Sequence, residues 1–230
     1  MKLVIALDTE IKKAKKVVDY ALEFNFKIFK IGHLLFDTQP EIINYITKKG
    51  GDVLLDLKFH DIPSVIVKAI EKILTKYKIW GFTIHSLGGK NLLKETKNFV
   101  LEKNLNIIIF AVTILTSLEE KDLKSFGFKT NIKNTILNLA KLAKNCGLDG
   151  VVCSTNEVEI IKKTCGKKFL TLVPGITIGN KNVDQRRTNT IENILSLAAD
   201  YIVIGRSIYE SENINTTLQY LNNLFLNNKK

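Results

Sequence analysis

The chain has 230 residues, 45% hydrophobic and 25% charged, enough for one well-buried core, and no Pro/Gly/Ser-rich linker divides it, so a single domain over 1–230 is expected. The net charge of +11 invites a nucleic-acid partner, but the lysines behind it are scattered along helix-like segments without interleaved aromatics or a binding motif, so no nucleic acid is expected. No apolar run approaches membrane-spanning length, the opening has no signal-peptide pattern, and Cys146, Cys153 and Cys165 show neither disulfide nor metal-ligand spacing, which together predict a cytoplasmic protein with reduced thiols, no membrane contact and no metal.

Short apolar, β-branched runs alternate with amphipathic patterns along the whole chain. A strand at 3–7 leads to a helix at 11–24, a strand at 27–31 to a helix at 40–49, and a strand at 53–57 to a helix at 64–76. The alternation continues with strands at 81–85, 107–113, 150–153, 169–173 and 201–204 and helices at 91–102, 132–146, 157–165, 190–197 and 215–226. Eight strand–helix units in this length predict an α/β fold of the (β/α)8 TIM-barrel type more readily than an open doubly wound sheet. No Gly-x-Gly-x-x-Gly turn follows the first strand, which weakens a dinucleotide-binding alternative.

The third strand ends in Asp56-Leu57-Lys58-Phe59-His60-Asp61-Ile62-Pro63, with charges where a buried strand runs out. Alternation puts Asp56 and Lys58 on one face and Leu57 and Phe59 on the other, so a carboxylate and an ammonium share a confined space. A structural ion pair is the plain reading. Asp61 in the following turn adds a second acid to flank the ammonium, which suits a cationic proton donor better than a Schiff-base lysine.

If the barrel closes, Asp8, Lys30, Asp56 with Lys58, His85, Thr113, Pro174 and Gly205 with Arg206 gather at the C-terminal strand ends, the face on which such barrels do chemistry. Each has a plain reading as cap, core histidine or strand threonine; together they form a polar ring suited to electrostatic and proton-transfer chemistry without a cofactor. The segment 175–188, with Gly175, Gly179 and Asp184-Gln185-Arg186-Arg187, reads as a lid or as an ordinary surface loop. Arginine occurs only at Arg186, Arg187 and Arg206, near the loops after strands seven and eight where barrels commonly hold phosphate.

The ordered set DLKFHDIP, LVIALD, KIG at Lys30, TIHSLGGK at Thr83, AVTILTS at Ala111, GLDGVVCS at Gly147, VPGI at Val173, DQRR at Asp184 and VIGRS at Val203 resembles the bacterial orotidine 5'-phosphate decarboxylase family over nearly the whole chain. The resemblance implies a homodimeric barrel with shared active sites that makes uridine 5'-phosphate in pyrimidine biosynthesis. It implies Lys58 as proton donor, Asp56 and Lys30 completing a charged array, and Asp61 reaching into the partner's site. Asp8 and Lys30 would hold ribose hydroxyls and Thr116 the pyrimidine edge, with Ile62 and Pro174 among the nucleotide contacts and Gln185, Gly205 and Arg206 at the phosphate.

Two positions depart from the pattern: Val65 stands where the family has threonine, and Thr177 where it has a lid arginine that Lys181 or Arg186 would have to replace. These departures touch affinity more than chemistry. The rival readings are a magnesium-dependent sugar-phosphate decarboxylase or aldolase of the same barrel group, and a non-catalytic barrel that binds a nucleotide phosphate.

Overall fold

The computed structural model describes residues 1–179, 189–195 and 197–227. From the N-terminus run β1 (Lys2–Ala6), α1 (Ile11–Glu23), β2 (Ile28–Ile31), α2 (His33–Thr38), α3 (Ile42–Lys48), β3 (Asp52–Phe59), α4 (Pro63–Leu74), β4 (Gly81–His85), α5 (Gly89–Glu102) and β5 (Ile108–Val112). Then follow α6 (Glu120–Ser125), α7 (Ile132–Asn145), β6 (Gly150–Val152), α8 (Val158–Cys165), β7 (Leu170–Val173), β8 (Ile176–Thr177), β9 (Asn189–Thr190), α9 (Ile191–Ile194), β10 (Tyr201–Ile204), α10 (Arg206–Tyr209) and α11 (Ile214–Asn227).

β1 to β7 and β10 form a closed parallel barrel in which β1 pairs with both β2 and β10. The expected TIM-barrel class is therefore the observed one. The strands are apolar on both faces because each separates the barrel interior from the surrounding helices. In β1, Val4 and Ala6 face the interior cluster with Ile28, Leu54, Phe110 and Val203, while Leu3 and Ile5 pack outward with Val17, Val18 and Ala21 of α1. Tyr201 meets Trp80 and Phe110 edge to face and those two rings lie tilted, with centroids 5.3 to 6.2 Å apart, so the barrel interior is a packed core and not a pore.

Two similar latches tie the N-terminal ends of strands to the helix layer. Asp149, just before β6, takes Lys97 Nζ at 2.9 Å and the Ile109 N–H at 2.8 Å. Asp200, just before β10, accepts from Lys162 Nζ and takes the Thr171 N–H at 2.7 Å. With both ends of each latch at the face opposite the polar ring, these ion pairs belong to stability.

Several short elements escape the sequence pattern. The second strand is followed by two helices, α2 and α3, with Pro40 between them. α6 is mostly charged, buries only Leu123, and starts from a reciprocal Glu119–Asp122 capping box. β8 and β9 form a two-stranded parallel pair joining the segment after β7 to the start of α9.

Candidate active site

Alternation along the strands builds the site. The period of two that puts Val4 and Ala6 inside the barrel brings Asp8 to its mouth; Ile28 is followed by Lys30, and Leu54 by Asp56. The result is a row of opposite charges across β1, β2 and β3. Lys30 Nζ lies 3.1 Å from Asp8 Oδ2 and 3.3 Å from Asp56 Oδ2, and Lys58 Nζ lies 3.0 Å from the same Asp56 oxygen. Lys30 and Asp56 are nearly buried, whereas 40% of the Lys58 side chain is exposed, so the outermost ammonium is the one open to a ligand.

Burial opposes ionisation of Asp56. The Lys30 and Lys58 ammoniums outweigh it, with hydrogen bonds from Lys58 and Thr83 adding to them, and hold the carboxyl below its usual range. Lys58 has a left-handed backbone, φ 47°. It sits where the β3–β4 register shifts between Leu55 and Phe59, and its N–H donates to Thr83 Oγ1 at 2.9 Å.

The array floors a cleft of about 270 Å³ also lined by Thr116, Pro174, Gly175, Thr177, Gly205 and Arg206. Gly205 is closely packed: a Cβ there would meet Ala6 Cβ at 3.1 Å and Tyr209 Cε1 at 3.3 Å, so either neighbour would have to shift. A Cβ on Gly32 comes within 3.1 Å of Asp8 Oδ1, so this glycine leaves room for the Asp8–Lys30 pair. Gly175 and Gly179, at φ 78° and 65°, set the turns on either side of β8.

Asp8, Lys30, Asp56, Lys58, Thr116, Pro174, Gly205 and Arg206 thus meet around one cleft, as the sequence predicts. Other expected members stand apart. Thr113 is fully buried and donates to the Val152 carbonyl at 3.3 Å, and His85 lies outside the cleft, stacked on His60 with centroids 5.0 Å apart. Both leave the predicted ring for a packing reason: Thr113 turns into the sheet and His85 onto the β3 loop. Asp61 does not flank Lys58 within its own chain; it is exposed, and its Oδ1 accepts the Ile62 N–H at 2.6 Å. Ile62 is 61% exposed and lies outside its own cleft lining. Lys181, Asp184, Gln185, Arg186 and Arg187 lie outside the described residues.

Tyr209 and Ser207 are cleft residues that pattern reading missed. They follow Arg206 on α10, a helix of one turn with too little periodicity to detect. Among the described residues no group of three or more His, Cys, Asp or Glu has metal-binding geometry, and no helix is long and apolar enough to cross a membrane.

Fold and site together define a (β/α)8 barrel of the enzyme class, with an alternating lysine–aspartate array at its C-terminal mouth. Residues 1–220 match the model of the orotidine 5'-phosphate decarboxylase / HUMPS family, and the chain belongs to that family. It is 39% identical over 214 residues to an orotidine 5'-phosphate decarboxylase of Buchnera aphidicola, covering 92% of this chain and 90% of that one. To the Staphylococcus epidermidis enzyme of the same name it is 41% identical over 213 residues, covering 91% of each. Among solved structures it resembles orotidine 5'-phosphate decarboxylase from Lactobacillus acidophilus, with TM-score 0.83, 28% identity, and 97% and 98% of the two chains covered. The orotidine 5'-monophosphate decarboxylase of Methanocaldococcus jannaschii, complexed with inhibitor BMP, aligns with TM-score 0.75 and 26% identity over 97% of each chain.

Proposed function

We propose that this chain decarboxylates orotidine 5'-phosphate to uridine 5'-phosphate and carbon dioxide, the pyrimidine-biosynthetic reaction of its family, with Lys58 as the proton donor. The observation that carries the assignment of Lys58 is its half-open ammonium, fixed 3.0 Å from a buried, ionised Asp56 at the cleft floor.

Breaking the bond between the ring and its carboxylate releases carbon dioxide and leaves the electron pair in the ring plane, where the π system delocalises it poorly. A cation fixed beside that carbon stabilises the developing charge with no reorganisation of solvent. Lys58 then gives its proton to the carbon, and water restores the ammonium. Asp56 and Lys30 hold Lys58 in place, and the half-open Asp8, with Lys30 bonded behind it, is suited to ribose hydroxyls. Thr116 takes the pyrimidine edge in this reading, with Pro174 beside the ring, and both line the cleft. Arg206, beside the close-packed Gly205, supplies a phosphate contact, and Gln185 completes it in this reading. Phosphate binding far from the reacting bond contributes energy realised in the transition state.

The working unit in this reading is a homodimer of single-domain chains in the cytoplasm. Asp61 and Ile62 project away from their own cleft, and Ile62, Val65 and Leu87 leave 43% to 61% of their surface exposed. The loops bearing them adjoin, since a Cβ on Gly88 lies 3.3 Å from His60. A second copy covering this rim brings Asp61 and Ile62 to the partner's nucleotide. The three buried free cysteines suit a reducing compartment.

The test is loss of orotidine 5'-phosphate absorbance on adding purified protein, with and without a chelator. Turnover that persists with chelator is expected. Binding without turnover makes the chain a nucleotide-phosphate-binding barrel, and turnover abolished by the chelator points to the magnesium-dependent branch.

A further inference from the structure

Thr83 lies on β4 with no exposed surface, behind the cleft and outside its lining. Its single hydroxyl makes two bonds: it donates to Asp56 Oδ1 at 2.8 Å and accepts the backbone N–H of Lys58 at 2.9 Å. A hydroxyl has one proton and two lone pairs, so the two bonds are compatible and fix each other's direction. They also divide the labour of the Asp56 carboxylate. Oδ1 faces Thr83, and Oδ2 takes both Lys58 Nζ at 3.0 Å and Lys30 Nζ at 3.3 Å.

The second bond answers a backbone problem. Leu55 pairs with Phe82 and Phe59 with Ile84, so β3 spends more residues than β4 over the same span, and Lys58 sits in the resulting bulge. Its φ of 47° is one of three positive values at non-glycine positions among the described residues, and the other two, Asn25 and Asn104, are of a type that tolerates this region. A lysine persists there only when its surroundings hold it. Thr83 replaces the missing ladder bond with a side-chain one.

We propose that Thr83 is a positioning residue of the decarboxylation: it clamps the Asp56 carboxylate and the Lys58 main chain to one point on β4 and so aims the Lys58 ammonium at the reacting carbon. This rests on the decarboxylase reading of the site and deepens it. Thr83 touches no substrate. Its effect passes through groups whose placement decides the rate, so its loss is read in kcat before KM.

The experiment compares wild type, Thr83→Val, which keeps the shape and removes the hydroxyl, and Thr83→Ser, which keeps the hydroxyl. In Thr83→Val kcat is expected to fall about 100-fold with KM changed less than about threefold, the scale of a sub-ångström to 1 Å misplacement. Thr83→Ser is expected to stay within about threefold of wild type in kcat. The acid limb of the kcat profile should move to higher pH in Thr83→Val, because Asp56 loses a hydrogen bond to its charged form while still facing Lys30 from β2 and Lys58 from β3, with Asp8 of β1 beyond Lys30 and His85 further along β4 near Lys58.

The proposal is overturned if Thr83→Val keeps kcat within about threefold, or if Thr83→Ser is as slow as Thr83→Val. Should Thr83→Val not fold, Thr83→Ala is read in its place, and Thr83→Ser still decides: a folded serine variant slowed more than about tenfold overturns the clamp. No turnover in the wild-type chain sinks the decarboxylase reading itself, whereas wild-type turnover with an equally fast Thr83→Val sinks the clamp alone.

Discussion

Lys58 Nζ meets Asp56 Oδ2 at 3.0 Å although Lys58 departs from strand geometry, with φ 47°. The pair therefore does not depend on alternation alone; the bulge in β3 turns the ammonium while Asp56 stays anchored in the barrel interior. A fixed carboxylate beside a reoriented, half-open ammonium means that the position of the Lys58 charge is set by the fold.

Lys58→Ala tests this directly. Turnover should fall by at least about four orders of magnitude, since both stabilisation of the developing charge and its protonation are lost. Binding of uridine 5'-phosphate, measured by calorimetry, should stay within about tenfold, and Asp56 retains Lys30 and Thr83 as partners. Turnover within tenfold of wild type would reject the donor assignment.

Lys30 separates two carboxylates, so its removal is a stability experiment as much as a kinetic one. Lys30→Met should cost about 2–4 kcal/mol in urea unfolding at neutral pH, because nearly buried Asp56 loses one of its two cations. The native pKa of Asp56 is depressed, so its contribution is fully present above the usual carboxylate range and is lost as pH falls below that range through the lowered native value. The gap between wild type and variant should narrow on the same descent. An equal gap at pH 7 and in acid would mean that the loss is packing.

Arg206→Ala should raise KM for the phosphorylated substrate about 30- to 100-fold, the scale of a charge-assisted hydrogen bond of about 2–3 kcal/mol, and should leave binding of the unphosphorylated nucleoside nearly unchanged. Equal weakening of both ligands would place Arg206 elsewhere than at the phosphate.

His85 supplies a pH signature independent of the cleft. Burial, then the nearby His60 and Lys58, lowers its pKa from 6.5 to about 4, and its Nδ1 accepts the Leu87 N–H at 3.3 Å. Between these values the unfolded chain binds the proton and the native one does not, so stability rises with pH across the window and is lost as pH falls from 6.5 toward about 4. Partial exposure screens the effect, so its sign and pH window are what the experiment reads. His85→Asn should flatten unfolding free energy over that window, and an unaltered slope would assign the acid sensitivity to other groups.

The barrel was legible because strands buried on both faces are written as short β-branched runs, and charges interrupting those runs mark the mouth. Asp8, Lys30, Asp56 and Lys58 stand out for that reason. Thr83 does not: threonine in a strand is ordinary, and its part depends on a bulge in the neighbouring strand that no local pattern announces. α6 was missed for the opposite reason, since Leu123 alone gives no apolar stripe. Spacing alone made Asp61 an acid flanking its own Lys58, whereas the resemblance aimed it at a partner; its own chain turns the carboxylate onto the Ile62 N–H.

That direction yields the sharpest experiment on assembly. Lys58→Ala and Asp61→Ala chains should each be inactive alone. When they are unfolded and refolded together, about half the dimers are hybrids. If Asp61 serves the partner's cleft, each hybrid has one site with both lesions and one with neither, and the mixture regains about a quarter of wild-type activity. If Asp61 serves its own Lys58, every site keeps a lesion and nothing is regained. Tagged chains establish that hybrids have formed, and their absence of activity would then return Asp61 to its own subunit. The exposed Asp61 carboxylate, bonded to its own backbone 2.6 Å away and not to Lys58, favours the first outcome.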